Sequence, residues 1–347
     1  MPNNESPHRT SLVEGIKEFE SDLGSVTKVN AETLPILNRL SIKRLLLAPG
    51  AIREPHWHAN ANELTYCVSG SMLVGILGNQ TSFSTFTIGA GQMFFAPSGS
   101  LHHIENIGDK PAELIVAFGH ELPEDFSFSG ALGAMSDSVL GNTFDLPAEE
   151  FARIPRSTES AYIVGSDGGP TLPPSIEDSS ALRFDVEGQT PAVELEYGSA
   201  RLARTDSWPA LDGMSMYSLR ISTAGMREPH WHPETAEMGY VQQGRARMTV
   251  QDPDGSLDTY ELGAGDVYFI PRAYPHQIEV LGDEEIHFLV YFDQATPGDV
   301  GYRASGSAFS REVVAATLDV AVEDLPQLPD TPSDPLIVAR INPVDPD

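Results

Sequence analysis

Cysteine, lysine and long apolar runs are what this sequence has least of. The single cysteine in 347 residues, Cys67, rules out an internal disulfide, and its alternating apolar surroundings read as a buried thiol rather than a nucleophile. Lysine occurs only at Lys17, Lys28, Lys43 and Lys110, so arginine supplies 17 of the 21 basic residues. Against them stand 50 acidic residues, for a formal net charge of −29. That balance argues against nucleic acid and against anionic membrane surfaces as partners. Acid-rich, lysine-poor surfaces are a feature of proteins from salt-loving organisms, and an ordinary acidic soluble protein has them too. No run of about 18 apolar residues occurs, so no membrane-spanning helix is expected. Residues Met1 to Glu20 are polar, with no apolar h-region, and His8 falls in what reads as a disordered tail. A soluble, cytoplasmic protein is the expectation.

A chain of this length is too long for one ordinary core, and an internal repeat divides it. Arg53-Glu-Pro-His-Trp-His58 recurs as Arg227-Glu-Pro-His-Trp-His232, 174 residues on. Glu63 and Glu237, Gly70 and Gly244, Gly91 and Gly265, Pro97 and Pro271, and His102 and His276 keep the same offset. So do Asp145 and Asp319, Glu149 and Glu323, and Pro155 and Pro329. A whole domain has been duplicated. The expected organisation is an N-terminal domain over 1–155, a linker over 156–185 and a C-terminal domain over 186–347.

Each copy reads as short strands bounded by Gly, Pro or Asn, which predicts an all-β barrel or sandwich. In the first copy they fall at Ser41–Leu47, Leu64–Val68, Ser71–Leu77, Ser82–Ile88, Met93–Ala96 and Glu113–Phe118. Short helical appendages are expected at Ser138–Thr143 with Ala148–Ala152, and at Ser310–Leu318 with Val322–Leu325. Residues Ser157–Ser180, rich in Gly, Pro and Ser, read as irregular.

His56 and His58 are separated by one residue, so on a strand both imidazoles enter the same face. Glu63 follows a short turn, and His102 comes from a separate strand end. His230, His232, Glu237 and His276 repeat the set. Three imidazoles and one carboxylate suit Mn(II), Fe(II), Ni or Co better than a closed structural zinc site, because octahedral positions remain for ligand or water. His103, His120 and His287 have no counterparts and read as structural or surface residues.

The spacing Gly50-x5-His56-x-His58-x4-Glu63-x6-Gly70, followed by Gly91-x5-Pro97-x-Gly99-x2-His102-x3-Asn106, resembles both cupin motifs in full. Copy two departs from them at Ala224, Ala273 and Val280 and keeps all four ligands. The Arg-Glu-Pro-His-Trp-His wording, the duplication and the appended helices resemble the bicupin oxalate decarboxylase group, which includes bicupin oxalate oxidases. The resemblance implies two tandem jelly-roll barrels and two Mn(II) per chain, with Fe, Ni, Co or Zn as alternatives. It also implies a homo-oligomer, a trimer or a dimer of trimers, acting on oxalate or a similar small carboxylate, with dioxygen as co-substrate for an oxidase. Arg53 and Arg227 take the place of the arginine that clamps the substrate carboxylate. The planar guanidinium fork suits that role, although either arginine could instead pair with an acid such as Glu54 or Glu228. Trp57 and Trp231 point away from the metal and either meet across a subunit contact or only pack.

The lid departs from the resemblance. Decarboxylases carry a Ser-Glu-Asn-Ser-Thr run there, whose glutamate donates a proton. Here the stretch is Phe118-Gly-His-Glu-Leu-Pro-Glu-Asp-Phe-Ser-Phe-Ser-Gly130. Alignment on Phe126-Ser127 puts Phe128 at the glutamate position, whereas distance from the barrel points to Glu124 or Asp125. Glu124 is the candidate donor. Copy two has apolar Val290 where the decarboxylases have an acid. Two readings remain: an enzyme that cleaves oxalate or a similar carboxylate oxidatively in barrel one, and a non-catalytic metal-storage or small-ligand bicupin.

Overall fold

A computed structural model describes residues 6–166, 172–173, 180–331 and 334–344. Among them the chain forms two β-barrels, each built from a six-stranded and a seven-stranded antiparallel sheet. The first barrel has its main strands at Ser41–Leu47, Ala51–His58, Glu63–Ser69, Ser71–Leu77, Phe83–Gly89, Gln92–Ala96, Leu101–Asn106 and Ala112–Phe118. The second repeats them from Ser215–Ile221 to Ile286–Phe292. The all-β duplication read from the sequence is therefore the observed architecture. A single glycine separates consecutive strands at Gly70 and Gly244, with φ of 100° and 82°. At Gly70 a side chain would also collide with Ala112, its Cβ lying 2.5 Å away.

Ala112–Phe118 and Ile286–Phe292 are apolar almost throughout because both of their faces are covered. Leu114, Val116 and Phe118 fill the first barrel, while Ile115 and Ala117 join a second cluster. That cluster takes in Leu289 and Tyr291 of the other domain, whereas Ile286, Phe288, Val290 and Phe292 fill the second barrel. The two domains thus share a core in which the seven-stranded sheets pack back to back. Cys67 lies in the first barrel's interior, where burial pushes its thiol up to about 12.

The domains also exchange strands. Arg9–Ser11 pairs with Asp266–Ile270 of the C-terminal barrel, and Arg183–Asp185, 174 residues on, pairs with Gln92–Ala96 of the N-terminal one. His8 is buried, with Nδ1 2.9 Å from the Phe269 carbonyl, because strand exchange carries the expected tail across the other barrel. The expected linker 156–185 is likewise structured at both ends: Ile163–Gly165 pairs with Ala51–Arg53. Residues 167–171 and 174–179 of it lie outside the described residues.

Helices follow each barrel at Phe128–Gly133 and Asp137–Phe144, and at Tyr302–Ala308 and Arg311–Leu318. Ser136 and Ser310 cap the second helix of each pair by accepting from the Val139 and Val313 amides. Asp145 and Asp319 end them in the left-handed region. Val322–Leu325 forms a turn and bend rather than the expected helix.

Candidate metal centres

His56 and His58 stand on the strand Ala51–His58, Glu63 opens the next strand, and His102 lies opposite His56 on Leu101–Asn106. Their ligand atoms all lie within 4.8 Å of one another, as do those of His230, His232, Glu237 and His276, and all eight residues are buried. The eight residues expected from the sequence therefore form two clusters.

The hydrogen bonds fix the tautomers. Nδ1–H of His56 donates to the Glu54 carbonyl at 2.8 Å and that of His102 to Ser100 at 2.8 Å. His230 and His276 do the same to Glu228 and Tyr274, at 2.8 and 3.0 Å. A carbonyl only accepts, so the proton sits on Nδ1 and the Nε2 lone pair points inward, as metal ligation requires. Among the described residues the buried Nε2 of His230 has no hydrogen-bond partner, and that of His276 lies 3.4 Å from Glu237 Oε2. Burial and the Arg53 charge hold His56 well below its ordinary range, and burial with Arg227 does the same for His230, so both stay neutral. Burial alone would raise the Glu63 carboxyl, but His102 and His58 hold it well below the usual carboxylate range. Inward lone pairs beside an ionised carboxylate fit a divalent cation.

The two sites support their glutamates differently. Glu63 Oε1 accepts from Thr65 Oγ1 at 2.7 Å, and Glu237 Oε1 accepts from Tyr268 OH at 2.6 Å. Thr65 pairs across strands with Phe94, and the equivalent pair is Gly239 with Tyr268. The hydroxyl has moved to the neighbouring strand, and glycine has cleared space for the ring that carries it. A Cβ on Gly239 would lie 2.1 Å from that ring.

Arg53 reaches the metal face through a β-bulge. Along Leu101–Asn106 the pairing advances two residues, from His102 to Ile104, while along the histidine strand it goes back three, from His56 to Arg53. Without that extra residue, an arginine three places before a ligand would face the other way. The same irregularity brings Arg227 round. Pro55 and Pro229 are tolerated there because a bulge breaks the ladder. Trp57 and Trp231, between the paired histidines, point outward, and Trp57 stacks on Phe126 at 5.4 Å.

The arginines meet acids other than Glu54 or Glu228. Asp125 Oδ2 lies 3.7 Å from Arg53, and its Oδ1 accepts from His58 Nδ1–H at 2.6 Å. Asp299 binds Arg227 and lies 2.7 Å from His232 Nδ1, and Asp334 lies 3.9 Å from Arg227. Asp125 and Asp299 are 174 residues apart, so the repeat already carried this signal. Glu124, the candidate proton donor, is exposed. The strand Asp125–Ser127 pairs Asp125 with His58, and alternation turns Glu124 outward. The lid carboxylate that reaches the site is Asp125, whose side chain is only 21% exposed. Val290 is buried in the second barrel.

Two β-barrels in tandem, each closed around three imidazoles and a carboxylate, define a duplicated metal-binding jelly roll. The cupin family profile matches residues 11–151 and 184–325, and the chain belongs to that family. Its relatives place it in the bicupin oxalate decarboxylase group. Oxalate decarboxylase OxdC of Bacillus subtilis (strain 168) is 29% identical over 309 residues, covering 86% of this chain and 78% of that protein. A probable oxalate decarboxylase of Arthroderma benhamiae is 26% identical over 314 residues, 86% and 75% of the two chains. The structure of oxalate decarboxylase from Bacillus subtilis at pH 4.6 matches with a TM-score of 0.84 at 27% identity, over 97% of this chain and 89% of that one. A structure concerned with the Mn(II) centres of the same enzyme matches with the same score.

Proposed function

We propose that this chain is a manganese-dependent enzyme that cleaves the C–C bond of oxalate or a similarly small carboxylate, with barrel one as the catalytic barrel. One observation carries the reading: Arg53 and the ligands His56, His58 and Glu63 line a single cavity of about 20 Å³. A guanidinium beside a metal-binding cluster is what a carboxylate substrate requires, and metal storage or sensing has no use for it. A bound divalent metal would supply one-electron chemistry and a Lewis-acid anchor. His56, His58, Glu63 and His102 would hold one such ion, and His230, His232, Glu237 and His276 the other. Arg53 would orient the substrate and balance its charge. Asp125 would fix the His58 ring and tautomer.

The lid bears on the product. Oxalate plus one proton gives formate and one CO2. Oxalate plus two protons and dioxygen gives two CO2 and hydrogen peroxide. Glu124 faces solvent, and Asp125 accepts from His58 and Lys43. Neither offers a proton to the cavity, which supports the oxidative outcome. Aerobic and anaerobic incubation of the Mn-loaded protein with oxalate, reading formate, CO2 and peroxide, tests this. Peroxide with CO2 in air is expected, and the absence of every product would end the reading for oxalate.

The apolar side chains of Val139, Phe144, Val313 and Leu318 are exposed on the appended helices, which supports a homo-oligomer, a trimer or a dimer of trimers. Light scattering on the purified protein would show a monomer if this is wrong.

A further inference from the structure

One buried charge in the first barrel has no part in the reaction described above. Lys43, on the strand Ser41–Leu47, is one of only four lysines in the chain and has a side chain only 10% exposed. Burying an ammonium costs several kcal/mol unless charged partners compensate. Its Nζ lies 2.8 Å from Asp125 Oδ2 and 3.0 Å from Glu18 Oε2, and 5.3 Å over the Phe118 ring. It lines the same cavity as Arg53, His56, His58 and Glu63. Burial alone would lower its pKa, but Asp125 and Glu18 raise it, so the ammonium stays charged.

The second barrel differs at this place. The residue 174 positions on is Tyr217, whose hydroxyl donates to the Pro297 carbonyl at 3.5 Å. Arg227 there faces Asp299 and Asp334, with no lysine to offset them. In barrel one a single carboxylate, that of Asp125, reaches both Lys43 and Arg53. The two cations are therefore spaced to share a carboxylate.

We propose that Lys43 is a substrate-binding, specificity-determining residue: with Arg53 it forms a two-cation cradle that makes the first barrel select a small dicarboxylate dianion over a monocarboxylate. This rests on the carboxylate reading of that site. A dianion gains from both cations, whereas a monoanion is satisfied by the metal and Arg53. A purely structural Lys43, neutralising Asp125 and Glu18, would give no such discrimination.

The test is binding, measured apart from turnover, on the full-length Mn-loaded protein by calorimetry and by the Mn(II) EPR signal, with oxalate and acetate as probes. Lys43→Met should weaken oxalate binding by about tenfold or more and acetate binding by no more than about threefold. Lys43→Arg should recover most of the oxalate affinity. If Lys43→Met fails to fold, Glu18→Gln reads the same interaction in the opposite sense. Removing an acid that competes for Lys43 should tighten oxalate and leave acetate unchanged. An unchanged oxalate-to-acetate ratio in either folded variant, at full metal content, overturns the proposal. Oxalate affinity that depends on Lys43 in a protein that turns over nothing sinks the cleavage reading and leaves the cradle standing. Turnover with Lys43-independent affinity does the reverse.

Discussion

Asp125 and His58 face each other across a strand pair, and the Asp125 carboxylate accepts the His58 Nδ1–H bond at 2.6 Å. Asp299 stands 2.7 Å from His232 Nδ1 in the second barrel. His232 Nδ1–H instead donates to the Gly298 carbonyl at 3.1 Å, so His58 alone takes its orientation from a carboxylate hydrogen bond, supplied by the segment that follows its barrel. Asp125→Asn should weaken barrel-one metal binding about 10–100-fold and leave barrel two loaded. Metal content after dialysis against a graded chelator series should fall towards one ion per chain. Retention of both at wild-type affinity would show that Asp125 does not support His58.

Arg53 and Arg227 should not respond alike to mutation. Both arginines donate to equivalent carbonyls, Arg53 to Tyr162 at 3.2 Å and Arg227 to Leu336 at 2.8 Å, but Arg227 also binds Asp299 and lies near Asp334, whereas among the described residues the nearest carboxylate oxygen to Arg53 is 3.7 Å away. Arg53→Ala should raise KM for oxalate by about tenfold or more with little change in melting temperature. Arg227→Ala should lower the melting temperature, because buried carboxylates lose their counter-charge, and leave KM nearly constant. Steady-state kinetics beside calorimetry would expose the reverse pattern.

Glu124→Gln separates the two lid acids. Because Glu124 points to solvent, the variant should keep its metal and the wild-type ratio of formate to peroxide. Loss of formate on this change alone would restore Glu124 as the proton donor and require the lid to adopt another arrangement.

The Thr65–Phe94 and Gly239–Tyr268 pairs predict a strong context effect. Gly239→Ala places a methyl group 2.1 Å from the Tyr268 ring and should destabilise the second barrel by about 3 kcal/mol. Gly239→Thr combined with Tyr268→Phe copies barrel one and should recover most of that loss, with metal stoichiometry restored to two. Equal damage from the single and double variants, read by thermal unfolding, would mean the exchange is not compensatory.

His287 provides a pH test. Burial, with Arg220 and Arg201 nearby, pushes it down to about 3. Its ordinary value is about 6.5, so the unfolded chain binds a proton through this window and the folded protein does not. Stability should therefore rise with pH between about 3 and 6.5, by up to on the order of 1 kcal/mol per pH unit from this group. His287→Gln should flatten that part of the profile in denaturant titrations. An unchanged slope would assign it to other groups.

The sequence by itself determined the duplication, the barrel class and both ligand sets. The reason is local: strand periodicity places His56 beside His58, and the fixed offset repeats every chemical feature without reference to distance in space. It also contained Asp125 and Asp299 at that offset, although nothing in one dimension distinguishes them from Glu124 and its neighbours. Only the strand register, Asp125 opposite His58, decides which of these acids reaches the His58 ring. The bulges that swing Arg53 and Arg227 inward are likewise a matter of pairing between strands distant in sequence. The burial of His8 and the placing of Arg183–Asp185 depend on exchange between domains. Lys43 reads as one more strand residue until the closed barrel puts its ammonium beside Arg53 and Asp125, because charge in a shared cavity is a property of tertiary distance alone.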